Sequence, residues 1–371
     1  MPSIDITRDR QIPLTELEAY LESQVVPVAQ RLDREPGQLF SAFLALGSKG
    51  WLAPKLPDTD SSIGGLGLSS SEYQWFQSAI ARQSGALAFL QTQHQSAASL
   101  LLSGENEVLK QRYLPEMVSG NRRVGVGFSQ LRRQPSPLRA EVVAGGYRLN
   151  GLVPWVTGAG LFDEFVGAAV LPDGSAVFGL IPLVSRSETS SEIVVSEPMR
   201  LAAMSSMNTV TVEMKDWVLP AAQVVGCKPK GWIEGRDHAN PLSPLGLIFG
   251  CARAGVDVLG QSLNRRIIDH DLAVQLKLRL TELQTSLPSV AALPDSAYDQ
   301  KLSLRAQAIT LMNTCTGAAV IATSGAANSL DHPAQRVYGE SMVFSVSGQT
   351  TDGAIAALDK IAESILIGSV T

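Results

Sequence analysis

Ala140-Glu141-Val142-Val143-Ala144-Gly145-Gly146-Tyr147-Arg148-Leu149 marks the point where the spacing of apolar residues changes. A short apolar run, a Gly-Gly step and a second run containing Tyr147 and Leu149 predict two antiparallel strands joined by a tight turn. The pattern repeats downstream. Phe165 to Leu171, the turn Pro172-Asp173-Gly174 and Val177 to Ile181 predict a second hairpin, and Thr209-Val210-Thr211-Val212 alternates as a strand does. Glycine and proline punctuate these runs at short intervals, so residues 123–226 are predicted to form an antiparallel β-domain or small barrel.

Helical spacing governs both flanks. Upstream, Leu14, Leu17, Leu21, Val25 and Val28 recur at helical intervals, with Thr15 and Glu18 in a capping-box pattern. After a break at Pro54-Lys55-Leu56-Pro57 and the loop Gly64-Gly65-Leu66-Gly67, Ser69, Ser70 and Ser71 offer N-caps for a helix carrying Tyr73, Trp75, Phe76 and Ile80. Further helices are predicted over Phe89 to Leu102 and Glu105 to Met117. Downstream, Asn313 to Ala327 is small and apolar, as in a helix that packs closely on a neighbour. Ala354, Ile355, Leu358, Ile361, Ala362 and Ile365 make one apolar helix face behind a cap at Thr350 or Thr351. The expected fold class is therefore α+β and multidomain: an N-terminal helical domain (1–122), a central antiparallel β-domain (123–226) and a C-terminal helical bundle (227–371). Strands and helices are segregated, which excludes a doubly wound α/β sheet.

Composition narrows the function. The 371 residues are 45% apolar and 18% charged, with 30 basic against 35 acidic side chains and a net charge of −5. That is globular composition. The acidic balance, and the lack of any Lys/Arg block interleaved with aromatics, argue against nucleic-acid binding. Met1 to Arg10 is polar, without a signal-peptide apolar region, and no apolar run is long enough to span a membrane. Cys227, Cys251 and Cys315 are widely spaced and form no ligand set with the four isolated histidines, His94, His238, His270 and His332, so no metal is expected and a cytoplasmic location is.

The order of blocks, with several local matches from about residue 15 to 367, resembles the acyl-CoA dehydrogenase family. The matches are Gly64-Gly65-Leu66-Gly67, Tyr113-Leu114-Pro115-Glu116-Met117-Val118-Ser119-Gly120, Gly146-Tyr147-Arg148-Leu149-Asn150-Gly151 with Trp155-Val156-Thr157, and Val218-Leu219-Pro220. The resemblance implies FAD held between the β-domain and the C-terminal helices. It places Phe128 and Ser129, in Gly127-Phe128-Ser129-Gln130, and Trp155, Val156 and Thr157 beside the flavin ring. A tricyclic ring needs an aromatic wall and hydroxyl or backbone partners at its edges; the competing reading makes Trp155 a core residue and Thr157 a strand residue. Arg266 takes the place of an arginine that reaches a cofactor phosphate, against a solvated helix-end arginine. Gly325, in Ser324-Gly325-Ala326, stands where a glycine-rich backbone approaches the pyrophosphate, and Thr350 stands at the start of the last helix. The family's Phe-Gly turn after the arginine is replaced by Ile267-Ile268-Asp269-His270-Asp271.

The largest departure falls on the catalytic base. The family removes an α-proton with a glutamate and passes a hydride to flavin. The matching stretch is Ser347-Gly348-Gln349-Thr350, so glycine occupies the base position, and the alternative site near Asn240-Pro241 is not acidic either. Asp237 and Asp352 are the nearest carboxylates in sequence, read as surface or capping residues. Arg132 and Arg133 replace the stretch that borders the thioester and are read as exposed loop charges. No catalytic residue is assigned. Three functions stay open: a flavin-dependent oxidoreductase acting on an acyl-CoA or related compound, a flavin monooxygenase or oxidase on the same scaffold, and a non-catalytic binding or assembly protein. The resemblance also implies a homo-oligomer, dimer or tetramer.

Overall fold

The computed structural model describes residues 14–367 apart from 59–61, 189 and 269. The expectations for Met1 to Arg10 and for Asp269 lie outside the described residues.

The N-terminal part is helical. Helix α1 (Leu14–Tyr20) continues through one π turn and one 3-10 turn into α2 (Ala29–Arg34), and α3 (Pro36–Gly47) follows. Thr15 lies inside α1 rather than ahead of it, so the Thr15–Glu18 box is not the start of this helix. Helix α4 (Ser70–Gln83) is capped as expected at Ser69, whose hydroxyl accepts from the Glu72 amide while the Glu72 carboxylate accepts from the Ser69 amide. Helices α5 (Gly85–Leu102) and α6 (Glu107–Ser119) complete the layer; α5 ends where expected but starts four residues earlier, and α6 is shifted by two residues at each end. In the glycine loop, a side chain at Gly65 would collide with the Leu56 carbonyl. The Gly67 amide donates to that same carbonyl at 2.7 Å, which pins the loop on the Pro54–Leu56 turn.

Among the described residues the centre is a nine-stranded sheet of β1 (Val124–Gly127), β2 (Leu138–Val143), β3 (Gly146–Val156), β4 (Glu164–Val170), β5 (Ala176–Pro182), β6 (Arg186–Ser187), β7 (Glu192–Val195), β8 (Val210–Pro220) and β9 (Val224–Lys228), in the order β6-β7-β8-β3-β2-β4-β5-β9, with β1 on β4. Both expected hairpins form: β2 (Leu138–Val143) with β3 (Gly146–Val156), and β4 (Glu164–Val170) with β5 (Ala176–Pro182). Strand β8 (Val210–Pro220) covers the expected run from Val210 to Val212 and continues well beyond it. The sheet is mixed rather than purely antiparallel. Strand β1 (Val124–Gly127) runs parallel to β4, and β2 meets β4 in parallel at Arg139 and Val170. The physical reason is connection length: β1 reaches β4 only after the β2–β3 hairpin, and a long return admits a parallel neighbour where a tight turn does not.

The C-terminal part is a helix bundle of α8 (Leu245–Arg266), α9 (Leu272–Ala291), α10 (Tyr298–Thr323), α11 (Pro333–Val346) and α12 (Thr351–Ile367), preceded by α7 (Trp232–Ala239). The small-residue segment does pack closely: a Cβ at Gly255 of α8 would sit 2.9 Å from the backbone of Cys315 and Thr316 on α10. One apolar core runs from the N-terminal helices through the sheet into this bundle. A buried polar knot ties the parts together. Glu340 accepts from Arg336 at 2.7 Å and from the Gly85 amide at 2.8 Å, and Asp33 accepts from the Met204 amide at 2.9 Å. Burial pushes the Glu340 carboxyl up, with Arg336 opposing it.

Candidate functional site

Five of the residues of interest collect where the ends of β1 and β3 meet. Beyond β1, Phe128 is buried against Phe178 and Trp232, while Ser129, the first residue of a 3-10 turn, is exposed. Val156 ends β3 in the core, and a Cβ at Gly127 would touch its side chain, so the two strand ends are neighbours. Thr157 is buried with its hydroxyl 3.2 Å from that of Thr209. Trp155 departs from the core reading. Its indole is 47% exposed, although Pro154 and Val156 on either side are buried. Strand alternation puts Trp155 on the face opposite Val156, and on that face it stands exposed between the buried Val153 and Thr157.

Arg266 and Gly325 lie together elsewhere, at the far ends of α8 and α10. Arg266 donates from Nη1 to the Ala322 carbonyl at 3.0 Å, as a helix-end arginine does. Gly325 lies in the exposed 3-10 turn after α10, and a Cβ there would meet open space. The structure thus brings together Phe128, Ser129, Trp155, Val156 and Thr157 as one group, and Arg266 with Gly325 as another.

Thr350 joins neither group. Its hydroxyl accepts from the Gly353 amide at 3.1 Å and its carbonyl from the Ala354 amide, so it caps α12 as one of the two expected residues. It also lines a small cleft with Arg132, Arg236, Asp237, Asn240 and Gly348. Both positions where the resemblance puts a base, Gly348 and Asn240, therefore face one cavity. Gly348 has φ +59, a left-handed conformation that glycine adopts without strain. The segment around it is clamped from α10: Arg305 donates from Nη2 to the carbonyls of Ser347 (3.1 Å) and Gly348 (3.0 Å) and to Gln349 Oε1 (3.1 Å).

Two readings of the charged residues change here. Arg132 is no loose loop charge; its guanidinium grips Asp237 in a two-pronged pair at 2.6 and 2.7 Å. Asp237 is not a surface residue either, since its side chain keeps 14% exposure. Asp352 is exposed, as expected, and accepts from the Tyr298 hydroxyl at 3.4 Å. Arg133 is exposed as well.

Arg236, Tyr298 and Arg305 were not singled out from sequence. Arg305 had a signal: Leu302, Arg305, Ile309 and Met312 fall three and four residues apart on one buried helix face. His94, by contrast, is a structural strut. Its Nε2 lies 2.9 Å from the Met117 carbonyl and its Nδ1 accepts from the Val124 amide at 3.2 Å, joining α5, α6 and β1. Burial depresses its pKa to about 4, with the two backbone contacts opposing the shift.

Among the described residues no group of three His, Cys, Asp or Glu stands close enough to hold a metal ion, and no helix is long and apolar enough to cross a membrane.

Comparison with known proteins agrees with this architecture. Residues 7–121 match the model of the acyl-CoA dehydrogenase N-terminal domain. Isovaleryl-CoA dehydrogenase, mitochondrial, from Pongo abelii is 26% identical over 224 residues, which cover 57% of this chain and 51% of that protein, so the match spans about half of the relative's length. Among solved structures, the glutaryl-coenzyme A dehydrogenase complex with glutaryl-CoA superposes with a TM-score of 0.79 at 18% identity, covering 97% of each chain. Glutaryl-CoA dehydrogenase from Mycobacterium smegmatis gives 0.74 at 14% identity, covering 94% of this chain and 92% of that one. Residues 7–121 thus match the N-terminal domain of acyl-CoA dehydrogenases, and the chain as a whole has the acyl-CoA dehydrogenase fold.

Proposed function

We propose that the protein is a flavin-dependent oxidoreductase with FAD as its cofactor and an acyl-CoA or related compound as its substrate. The observation that carries the reading is Trp155: a large aromatic surface left open between two buried neighbours, beside the strand end that carries Thr157. An apolar face held in solvent by an ordered strand is a docking surface, and an indole suits a flat ring system.

The side chains present fit a flavin. On the ring side they offer the Trp155 indole and the hydroxyls of Ser129 and Thr157. On the phosphate side they offer Arg266, which spends one nitrogen on Ala322, and the open backbone at Gly325. Bound there, FAD would supply a two-electron acceptor. The protein's own contribution is to stack the ring, to hold hydroxyl donors at its edge and to neutralise phosphate with a guanidinium.

The second reading, an oxidase or monooxygenase, is favoured by the cleft. Glycine stands at the base position, and the one carboxylate in the lining, Asp237, is committed to Arg132. A reaction of that branch needs no α-proton abstraction. The three-domain division at 1–122, 123–226 and 227–371 and a homo-oligomer, dimer or tetramer, belong to this proposal. Ile321 and Met342 on the C-terminal helices are 80% and 52% exposed, as residues awaiting a second copy are. Three cysteines without a disulfide suit the cytoplasm.

The test is visible absorbance of the purified protein with FAD, followed by anaerobic addition of acyl-CoA thioesters. Bleaching of the flavin supports the dehydrogenase reading. A flavin that stays oxidised with every thioester, yet consumes oxygen once chemically reduced, supports the second. A protein that never takes up flavin overturns both in favour of a binding or assembly role.

A further inference from the structure

The cleft beside Gly348 carries an unbalanced charge. Three guanidiniums, Arg132, Arg236 and Arg305, line it against one carboxylate, Asp237, which is already held by both oxygens. Arg305 is 3% exposed and has no carboxylate within ion-pair distance among the described residues. Its Nη groups serve neutral oxygens, and its Nε is buried with no partner at all.

Arg236 is the second unusual cation. Its guanidinium lies over the rings of Phe128 (5.4 Å) and Trp232 (5.8 Å). Its side chain makes no hydrogen bond among the described residues, and its contact with Asp237 is 4.0 Å. Two aromatic faces thus shelve a half-buried arginine with its donors free. Burial pushes both Arg236 and Arg305 below the usual arginine range, at Arg236 against the opposing pull of Asp237, and this is the cost of cations that are only weakly compensated.

We propose that this cleft binds the carboxylate group of a small organic acid, either free or as the far end of an acyl chain. A carboxylate would accept from the unused donors of Arg236 and Arg305 and bring the local charge towards balance. Its flat, two-oxygen shape matches guanidinium forks. The enclosed space, about 40 Å³, suits a headgroup rather than a ring. The glycine at position 348 keeps the approach free of a second carboxylate, which would repel such a ligand. The inference stands on the cleft alone and does not require flavin.

The test is calorimetric titration and thermal unfolding of the full chain with succinate, succinyl-CoA, acetyl-CoA and inorganic phosphate, at matched ionic strength, with flavin content recorded. Succinate is expected to bind and raise the melting temperature if a free acid is the ligand. Succinyl-CoA binding more tightly than acetyl-CoA, by roughly tenfold or more, is expected if the acyl chain brings the carboxylate. Either response should vanish in Arg236→Gln. Should that variant fold poorly, Ser243→Glu places a carboxylate at the exposed rim of the same cleft and should abolish the response while raising the melting temperature of the unliganded protein. No response to either succinyl compound, an equal response in Arg236→Gln, or a phosphate response as strong as succinate's would overturn the proposal. Carboxylate binding in a protein that takes up no flavin keeps it and removes the proposed function instead.

Discussion

Nη2 of Arg305 lies 3.0 Å from the carbonyl oxygen of Gly348, so a buried cation on α10 fixes the segment that leads into α12. The same guanidinium also reaches Pro241, at 3.4 Å, on the chain between α7 and α8. One side chain therefore ties three pieces of backbone around the cleft.

Arg305→Met should consequently loosen the cleft more than it harms the bundle. The Pro241, Ser347 and Gly348 carbonyls lose their donor, at about 1–3 kcal/mol for the buried one at Pro241 if it is left unsatisfied, partly offset by removing an unbalanced charge. Hydrogen exchange should speed up in residues 347–354 and stay slow in α8. Unchanged exchange across 347–354 would show that the clamp does not hold the segment.

His94 makes stability depend on pH in a defined window. With a native pKa of about 4 against about 6.5 when unfolded, the neutral ring is native-like, and the unfolded chain takes up the proton first. Its contribution is complete above the unfolded value and is lost as pH falls from about 6.5 towards 4, by about 3 kcal/mol in all. In His94→Gln this part of the slope should disappear from urea-unfolding curves taken across the window. A slope equal to the wild type's would assign it to other groups.

The exposed apolar residues of the bundle predict self-association. Ile321→Glu, at a position 80% exposed, should cost the monomer less than about 1 kcal/mol but move the mass measured by light scattering to a smaller species. A wild-type protein that is already monomeric would remove the reason given for that exposure.

Thr157→Val removes a hydroxyl paired to Thr209 while keeping the shape of a buried residue. It should weaken flavin retention and cost about 1–2 kcal/mol in stability, because Thr209 loses its partner. Full flavin content in this variant would take Thr157 out of the cofactor site.

Both hairpins, β8 and the helices α4, α5, α6 and α12 were legible because their signals are local. The Ala144-Gly145 turn, one residue ahead of the expected Gly-Gly step, sets the β2–β3 register, and Ser69 with Glu72 caps α4, both within a few residues. The parallel pairing of β1 with β4 was not legible, since it joins Val124 to Glu164 with no local mark on either. The cleft was half legible. Gly348 and Asn240 drew notice as missing acids, and Asp237 as a nearby carboxylate. That Arg132 would reach Asp237 across 105 residues, and Arg305 reach Gly348 across 43, is a product of packing rather than of spacing. The apolar face of α12 shows the reverse case: its periodicity predicted a helix correctly, yet Ile355 and Leu358 are 53% and 66% exposed, because periodicity does not say what covers a face.

The most direct test of the central claim is equilibrium binding of FAD to the wild-type protein and to Trp155→Ala, followed by flavin fluorescence and visible absorbance. The indole is half exposed, so its removal leaves the fold intact within about 1 kcal/mol. The account predicts that the wild type binds FAD with its fluorescence quenched, and that the variant binds at least roughly tenfold more weakly, as the loss of one stacked ring implies. Equal FAD affinity in the two proteins, or no binding by either, would contradict it.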